Sequence, residues 1–474
     1  MSNLADRSAA HVNGLLQSRE VSAAEVVEAA ITRIEAVDGV INALPIRDFE
    51  RAREAAAGFD ALPQKVRSQG VLHGLPVVIK DQHDVTGLPT TQGFKPFAHA
   101  QATRDDVLVQ RLRRRGAIII AKSNVPELAF GGGCTNPVFG STRNPWHLSR
   151  TAGGSSGGAA AALAAREAWL ATGSDLGGSL RMPAAFCGVV GFRPSPGVVP
   201  FGPRTLPFDL LSVCGPMARS VGDVALLFDA MAGRDPSDPL SRDLVGSARR
   251  AAAAAPPLDR LRVAWSPDLG GICIVEPTVL AGCQGALKAL EAAGLDVRPV
   301  SPDLVDGKIA VNILRGARLA SLGPLLTEHG QALPNHVRHE IERGLALGAD
   351  DIARAEAIRA RLYYGFAALM DDFDVLICPT TITPAFGVEL IEPASVAGVS
   401  FEAYSDWFLL THVLSLLGCP AISLPCGLDP DGLPIGLQLV GRPGEDLALL
   451  AVASAVEAVL AWPAAWPGAQ GDIS

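Results

Sequence analysis

Apolar residues along this chain follow two patterns, one typical of helices and the other typical of buried strands. After Ser22, apolar residues recur at helical spacing, and Glu25, three positions further on, completes the pattern of a capping box. Short uninterrupted apolar runs at 77–79, 118–120 and 263–265 indicate strands with both faces buried. The chain therefore combines amphipathic helices with fully buried strands.

Helices and strands alternate along the chain, which indicates the class of fold. Further helices are expected over 48–62, 105–115 and 277–293, with strands over 169–172 and 295–300. Strands that alternate with helices usually join one sheet, with the helices packed on its two faces. We therefore expect an α/β protein whose sheet is covered by helices on both faces.

Composition and charge narrow the function. A chain of 474 residues with 48% hydrophobic residues can bury a large core, and its formal net charge of −9 argues against a nucleic-acid partner. The most apolar run, 407–417, is interrupted by polar residues and is too short to span a membrane, so we expect a buried helix there. The N-terminus lacks the basic and apolar segments of a secretory signal, and the cysteines form no C-x-x-C pair. We expect a cytoplasmic protein without a membrane anchor.

Three polar segments carry the candidate chemistry. They are the run GGSSGG at 153–158, the run GSDLGGSLR at 173–181, and Lys80, which follows the predicted strand 77–79. Together they supply serines and a lysine but no histidine. A serine hydroxyl needs a positioned base before it can attack a carbonyl carbon. Lys80 can be that base only if a desolvated pocket keeps it neutral.

Each serine segment has more than one interpretation. The run at 153–158 precedes an alanine-rich helix and is either a flexible turn or a loop that brings backbone close to a ligand. It also matches G-x-S-x-G, but the residues before it show little strand character, which disfavours a nucleophile elbow. In the second run, two glycines allow consecutive N–H groups to converge as an oxyanion hole beside Ser179. Asp175 and Arg181 form either a partly buried ion pair that locks the loop or a solvated pair.

Histidines elsewhere give weaker signals. His83 and His147 lie near the motifs, but nothing pairs either of them with a serine. His336 and His339 have the spacing of two metal ligands on a helix, but a third ligand is not evident. We interpret them as part of a solvated helix face, and we expect neither a metal nor an organic cofactor.

In this order and spacing, the three segments resemble the amidase signature family, whose enzymes use a Ser–cisSer–Lys triad. Further matching runs are KSNVPE at 122–127, GSTRNP at 140–145, FCGVVGFRP at 186–194 and GLPIGLQLVG at 432–441. The resemblance covers residues 65–450. It implies a large mixed, mostly parallel central sheet, with 1–65 as a helical N-terminal segment and 66–474 as the catalytic domain of one compact unit.

The resemblance also implies roles for individual residues. Ser179 would be the nucleophile, Ser155 the bridging serine with a cis peptide bond to Gly154, and Lys80 the base. The oxyanion hole would be formed by the backbone of Leu176, Gly177, Gly178 and Ser179. The turn would be supported by Asp175 and Arg181, and the scissile group would lie beside Gly131, Gly132 and Gly133. One departure is Ser415, where many members carry an asparagine that is not catalytic.

Three functions follow from this resemblance. We expect an amidase that hydrolyses a small-molecule amide through an acyl-enzyme, as a single chain or a homodimer. Loops at 201–211 and 404–412 are rich in aromatic and apolar residues, which predicts a neutral hydrophobic or aromatic amide, anilide or carbamate as substrate. The alternatives are the glutaminase subunit of a tRNA-dependent amidotransferase and a non-catalytic binding protein of the same fold.

Overall fold

The computed structural model describes residues 4–67 and 69–462. The strands in these residues are β1 (Ile46–Arg47), β2 (Pro76–Lys80), β3 (Ile118–Ser123), β4 (Thr135–Asn136), β5 (Gly140–Ser141), β6 (Arg143–Asn144), β7 (His147–Thr151), β8 (Leu170–Asp175), β9 (Val190–Arg193), β10 (Val213–Ala218), β11 (Arg262–Trp265), β12 (Asp296–Pro299), β13 (Val375–Pro379), β14 (Ala421–Leu428) and β15 (Pro434–Val440). The α-helices are α1 (Ala9–Ser18), α2 (Ala23–Ile41), α3 (Phe49–Ala61), α4 (Gln64–Arg67), α5 (Val107–Arg114), α6 (Gly157–Ala164), α7 (Arg181–Cys187), α8 (Val221–Met231), α9 (Ala248–Ala253), α10 (Pro277–Ala292), α11 (Gly307–Leu319), α12 (Pro324–His329), α13 (Asn335–Leu345), α14 (Ala349–Met370), α15 (Leu409–Leu416) and α16 (Asp446–Leu460).

The central sheet is mixed, with 11 strands in the order β1-β3-β2-β8-β10-β9-β14-β15-β13-β11-β12. The runs β3-β2-β8 and β13-β11-β12 are parallel. The strands between them, from β8 to β13, pair antiparallel, as do β1 and β3. The expectation of a mostly parallel sheet is therefore wrong. The physical reason is that β9 runs to β10, and β14 to β15, through loops without a crossover helix, and such connections join antiparallel strands.

The strands of the sheet are covered on both faces. Every residue of β2, β3, β8 and β10 is buried. Because successive side chains of a strand point to opposite faces, complete burial requires cover on both sides. The α/β class with helices on both faces is confirmed.

The N-terminal helices pack on the same hydrophobic core as the sheet. The capping box predicted at Ser22 is present, since its Oγ accepts from Glu25 N and the Glu25 carboxylate accepts from Ser22 N at 2.8 Å. Val26 and Ile31 of this helix belong to the core that contains β2 and β8. The division at residue 65 stays a prediction, and its two segments include 1–3, Ser68 and 463–474, which lie outside the described residues.

Two local expectations had different outcomes. The run 407–417 forms the end of a 3₁₀ turn and the buried helix α15, as predicted. No helix among residues 4–67 and 69–462 is long and apolar enough to cross a membrane. By contrast, the stretch before GGSSGG is not free of strands, because β6 and β7 pair there. β7 consists mainly of polar, partly exposed residues, so hydrophobic pattern could not reveal it.

Candidate active site

Lys80 is the last residue of β2, and the flanking strands β3 and β8 enclose it. Its side chain is fully buried. The Nζ atom lies 2.7 Å from Ser155 Oγ, 2.8 Å from Ser174 Oγ and 3.0 Å from Ser156 Oγ. Three hydroxyl groups therefore surround the amine, and none of them carries a charge.

The surroundings of Lys80 favour its neutral form. Burial lowers the pKa of Lys80 from its ordinary 10.5 to about 7, because an ammonium loses its hydration there and its hydrogen-bond partners are uncharged. A large fraction of the amine is then neutral near physiological pH. A neutral amine keeps two N–H donors and gains one lone pair.

The hydroxyl groups around Lys80 differ in where their own protons go. Ser174 Oγ donates to Gln82 Oε1 at 2.7 Å, and Ser156 Oγ donates to the Ser174 carbonyl at 3.4 Å. Both hydroxyls therefore accept from the two N–H groups of a neutral Lys80. Ser155 Oγ has no hydrogen-bond partner other than Lys80 among the described residues, so its own proton is free to point at the lone pair of a neutral amine.

The glycine run holds Ser155 by close backbone packing. The peptide bond between Gly154 and Ser155 is cis. A Cβ at Gly154 would lie 2.2 Å from the carbonyl oxygen of Gly131, and one at Gly158 would lie 2.4 Å from Asn124 N. Glycine is needed at these positions because backbone segments touch there. The interpretation of this run as a flexible turn is therefore wrong.

The second serine, Ser179, follows the sharp turn after β8. The Gly178 N–H donates to Asp175 Oδ1 at 2.8 Å, and the Leu180 N–H donates to Asp175 Oδ2 at 3.2 Å. The Asp175 carboxylate thus fixes the turn from inside. The Gly178 N–H, which was expected in the oxyanion hole, is therefore donated to this carboxylate in the present conformation.

The N–H groups of the other three residues of this turn are available. Those of Leu176, Gly177 and Ser179 have no acceptor among the described residues, and all three residues line the pocket. The turn is joined to the glycine run by Ser156 N–H, which donates to the Ser179 carbonyl at 3.2 Å.

No hydrogen bond between the Ser155 and Ser179 hydroxyls is formed in the described residues, although both face the same pocket.

Asp175 and Arg181 form a buried ion pair, which excludes the solvated alternative. Arg181 Nη2 lies 2.8 Å from Asp175 Oδ1, and both side chains are fully buried. Arg193 contacts the same Oδ1 at 3.2 Å. Burial alone would raise the pKa of Asp175, but the two guanidinium groups hold it below the usual range of an aspartate.

Ser415, where many family members carry an asparagine, is hydrogen-bonded to the buried ion pair of Asp175 and Arg181. Its Oγ accepts from Arg181 Nη2 at 2.6 Å and donates to the Thr411 carbonyl at 3.0 Å. Thr411 Oγ1 in turn donates to the Gly177 carbonyl. Helix α15 therefore supports the turn from behind, a link across more than 200 residues that the sequence did not reveal.

The two serines open into one pocket of about 660 Å³, its open mouth included. The other side chains of its wall are mainly apolar or aromatic: Leu128, Ala129, Phe130, Leu176, Met182, Leu319, Tyr404 and Phe408. Of the two loops expected to line it, 404–412 contributes and 201–211 does not. Phe208 in the latter is 72% exposed, because its loop runs over the surface beside the pocket.

The pocket wall also contains two arginines, Arg315 and Arg318, that no local sequence pattern indicates. Arg315 pairs with Glu340, and its guanidinium lies over the rings of Tyr404 and Phe130, 4.9 Å and 5.5 Å from their centroids. Arg318 pairs with Asp209 at 2.8 Å. Each cation therefore has a carboxylate partner, although Glu340 also pairs with Arg343 at 3.2 Å.

The three glycines expected beside the scissile group have different positions. Gly131 lines the pocket. Gly132 and Gly133 do not, because their N–H groups donate to the Ile391 carbonyl at 2.7 Å and 3.1 Å. A Cβ at Gly132 would lie 2.0 Å from Trp407, so this glycine serves packing behind the wall.

The histidines that the sequence singled out lie away from the pocket serines. His83 Nδ1 contacts Asp106 at 3.0 Å, and His147 contacts Ser149, so neither reaches a serine of the pocket. His336 is half-buried, with its Nε2 atom covered, whereas His339 is exposed on the same helix. No cluster of three or more histidine, cysteine, aspartate or glutamate side chains suited to a metal occurs in the described part of the chain.

Comparison with known proteins agrees with this fold. Residues 25–450 match the family described as Amidase. An acylamidase from Rhodococcus erythropolis is 39% identical over 469 residues, covering 97% of this chain and 97% of that protein. A glutamyl-tRNA(Gln) amidotransferase subunit from Thermosynechococcus vestitus is 34% identical, covering 94% of this chain and 96% of that protein. A bacterial aryl acylamidase of the amidase signature family superposes with a TM-score of 0.87 at 28% identity, covering 96% of both chains.

The chain therefore belongs to the amidase family. It is a hydrolase that acts on carbon–nitrogen amide bonds. The expected resemblance to amidase signature enzymes is confirmed.

Proposed function

We propose that the chain hydrolyses amides through an acyl-enzyme on Ser179, with Lys80 as base and Ser155 as the proton relay. The observation that carries the proposal is the 2.7 Å contact between the buried Lys80 amine and Ser155 Oγ. Neutral Lys80 takes the Ser155 proton as Ser155 takes the Ser179 proton, and Ser179 Oγ bonds to the amide carbon. The proton then returns along the relay to the leaving nitrogen as the carbon–nitrogen bond breaks, and water releases the acid by the reverse steps.

The oxyanion of the tetrahedral intermediate needs N–H donors aimed at one point. We propose the N–H groups of Leu176, Gly177 and Ser179 for this role. Gly178 instead holds the turn through its hydrogen bond to Asp175. The ion pair with Arg181 keeps Asp175 ionised, so the turn is already formed before substrate binds.

The pocket supports a neutral, hydrophobic or aromatic acyl group as substrate. Phe130, Met182 and Phe408 are among the residues that can cover an apolar group, and burial of apolar surface contributes about 25 cal/mol per Å². Arg315 and Arg318 are paired with carboxylates, so a charged substrate would have to break an ion pair or leave its own charge unpartnered. The acylamidase names of two relatives point in the same direction.

The test is a substrate screen with the purified single chain. We expect neutral aryl or alkyl anilides and primary amides to give a higher kcat/KM than glutamine or asparagine, measured by release of amine or ammonia. Met182→Glu would place a carboxylate in the wall and should lower kcat/KM for the neutral anilide, whereas Val245→Glu, at a position 91% exposed, should not. Glutamine hydrolysis that appears only with added partner proteins would contradict this proposal and favour the amidotransferase alternative.

A further inference from the structure

Two arginines and one aspartate are buried together behind the Leu176–Ser179 turn. Arg181, Arg193 and Asp175 are all fully buried. Arg181 satisfies the carboxylate with two hydrogen bonds, from Nε at 3.0 Å and Nη2 at 2.8 Å. Burial of the imidazole keeps the nearby His412 uncharged, with a pKa well below its usual range. Arg181, Arg193 and Asp175 together therefore carry a net charge of one positive unit, because Asp175 is the one carboxylate among them.

Arg193 makes a contact that the ion pair does not explain. Its Nη1 donates to the backbone carbonyl of Asp175, in addition to a longer 3.2 Å contact with Oδ1. Its Nη2 donates to the Ser415 carbonyl at 3.4 Å, and its Nε has no partner among the described residues. The guanidinium is thus directed mainly at the peptide group between Asp175 and Leu176. A buried charge that no carboxylate neutralises costs desolvation free energy.

The carbonyl of Asp175 and the N–H of Leu176 belong to one peptide unit. A cation that hydrogen-bonds to a peptide carbonyl polarises that peptide and makes its N–H a stronger donor. The Leu176 N–H has no acceptor in the described residues and lies at the pocket. Arg193 is therefore connected through one peptide bond to the place where negative charge would develop.

We propose that Arg193 is a positioning residue that polarises the Leu176 peptide and so stabilises the oxyanion of the tetrahedral intermediate. Arg193 does not line the pocket, so it acts only through the backbone. The inference rests on the proposed function, because it requires an oxyanion at this turn. It distinguishes Arg193 from Arg181, whose hydrogen bonds go to the Asp175 side chain, to α15 and to Gln438 of β15.

The experiment compares binding of the ground state with binding of a tetrahedral mimic. For Arg193→Met, Arg193→Lys and the wild type, kcat and KM are measured on one aryl anilide. The inhibition constants of a trifluoromethyl ketone with the same acyl group and of the product acid are measured alongside. The matched control is Arg219→Met, since Arg219 also donates to backbone carbonyls, at Ala168, but at a distance from the site. Thermal unfolding confirms that each variant is folded.

We expect Arg193→Met to lose at least about 10-fold in kcat and to bind the ketone weaker by the same factor, since removal of a whole oxyanion donor costs about 100- to 1,000-fold. KM and product binding should stay within about twofold, and Arg193→Lys should recover most of the loss. If Arg193→Met does not fold, Arg193→Gln, which keeps a donor without the charge, replaces it with the same expectations.

Three results would overturn the inference. One is a folded Arg193 variant with unchanged kcat. Another is equal weakening of ketone and product binding, and the third is a loss of the same kind in Arg219→Met. A wild type that neither hydrolyses amides nor binds the ketone would instead contradict the proposed function, so the two failures are distinguishable.

Discussion

The neutral form of Lys80 makes the pH dependence of the reaction predictable. Only neutral Lys80 can take the Ser155 proton, and burial lowers the pKa of this lysine to about 7. At that pKa about half of the amine is neutral at pH 7 and roughly a tenth at pH 6. A lysine with its ordinary pKa of 10.5 would be neutral in roughly one molecule in 3,000 at pH 7.

The expected profile of kcat/KM therefore has one acidic limb. It should fall about tenfold per pH unit below pH 7 and reach a plateau above about pH 8, because kcat/KM reports the ionisation of the free enzyme. A chromogenic anilide assayed from pH 5 to pH 10 at constant ionic strength measures this limb. His83→Gln and His147→Gln serve as controls, with thermal unfolding to confirm that they fold.

Two outcomes would refute this reasoning. A rate that still rises tenfold per unit above pH 9 would mean that Lys80 keeps an ordinary pKa. An acidic limb that disappears in either histidine variant would mean that a histidine is the base, in spite of its distance from the serines.

Three further predictions concern the relay, metals and packing. Lys80→Met, Ser155→Ala and Ser179→Ala should each lower kcat by at least about 1,000-fold, and the double variants should lose little more, because the three act as one unit; additive losses would argue against a relay. Prolonged treatment with a chelator should leave kcat unchanged, and a loss restored by zinc or manganese would point to a metallohydrolase. Gly132→Ala should destabilise the protein and lower activity, because its Cβ would lie 2.0 Å from an indole ring, whereas Gly365→Ala, with open space on α14, should raise stability by up to about 1 kcal/mol. Equal melting temperatures for these two variants would contradict the packing assignment.

The sequence revealed the parts of the site that are encoded locally. The apolar run before Lys80 placed the lysine at a strand end, and the helix at Ser22 followed from its capping box. The roles of Ser155 and Ser179 were predicted from the family resemblance, which rests on motifs that are continuous in the sequence. These features depend on neighbouring residues, so a pattern along the chain was sufficient to find them.

Features that depend on distant segments were not predictable in this way. The antiparallel centre of the sheet depends in part on pairing between strands that are far apart in the sequence. Strand β7 pairs with β6 although its residues show no hydrophobic pattern. Arg315 reaches the pocket from α11, more than 130 residues after Ser179, and nothing in its local sequence signals this. Ser156 and Ser174 lie in the two glycine-rich runs, but their hydrogen bonds to Lys80 could be found only from the three-dimensional structure.

The proposed mechanism requires that Ser179 carries the acyl group during turnover. The most direct measurement is covalent labelling with an activated aryl carbamate, followed by the intact mass of the protein and mapping of the modified peptide. We expect one carbamoyl group per chain on Ser179, and no labelling of Ser179→Ala. Modification of Ser155 or Ser156, or equal labelling of Ser179→Ala, would contradict it.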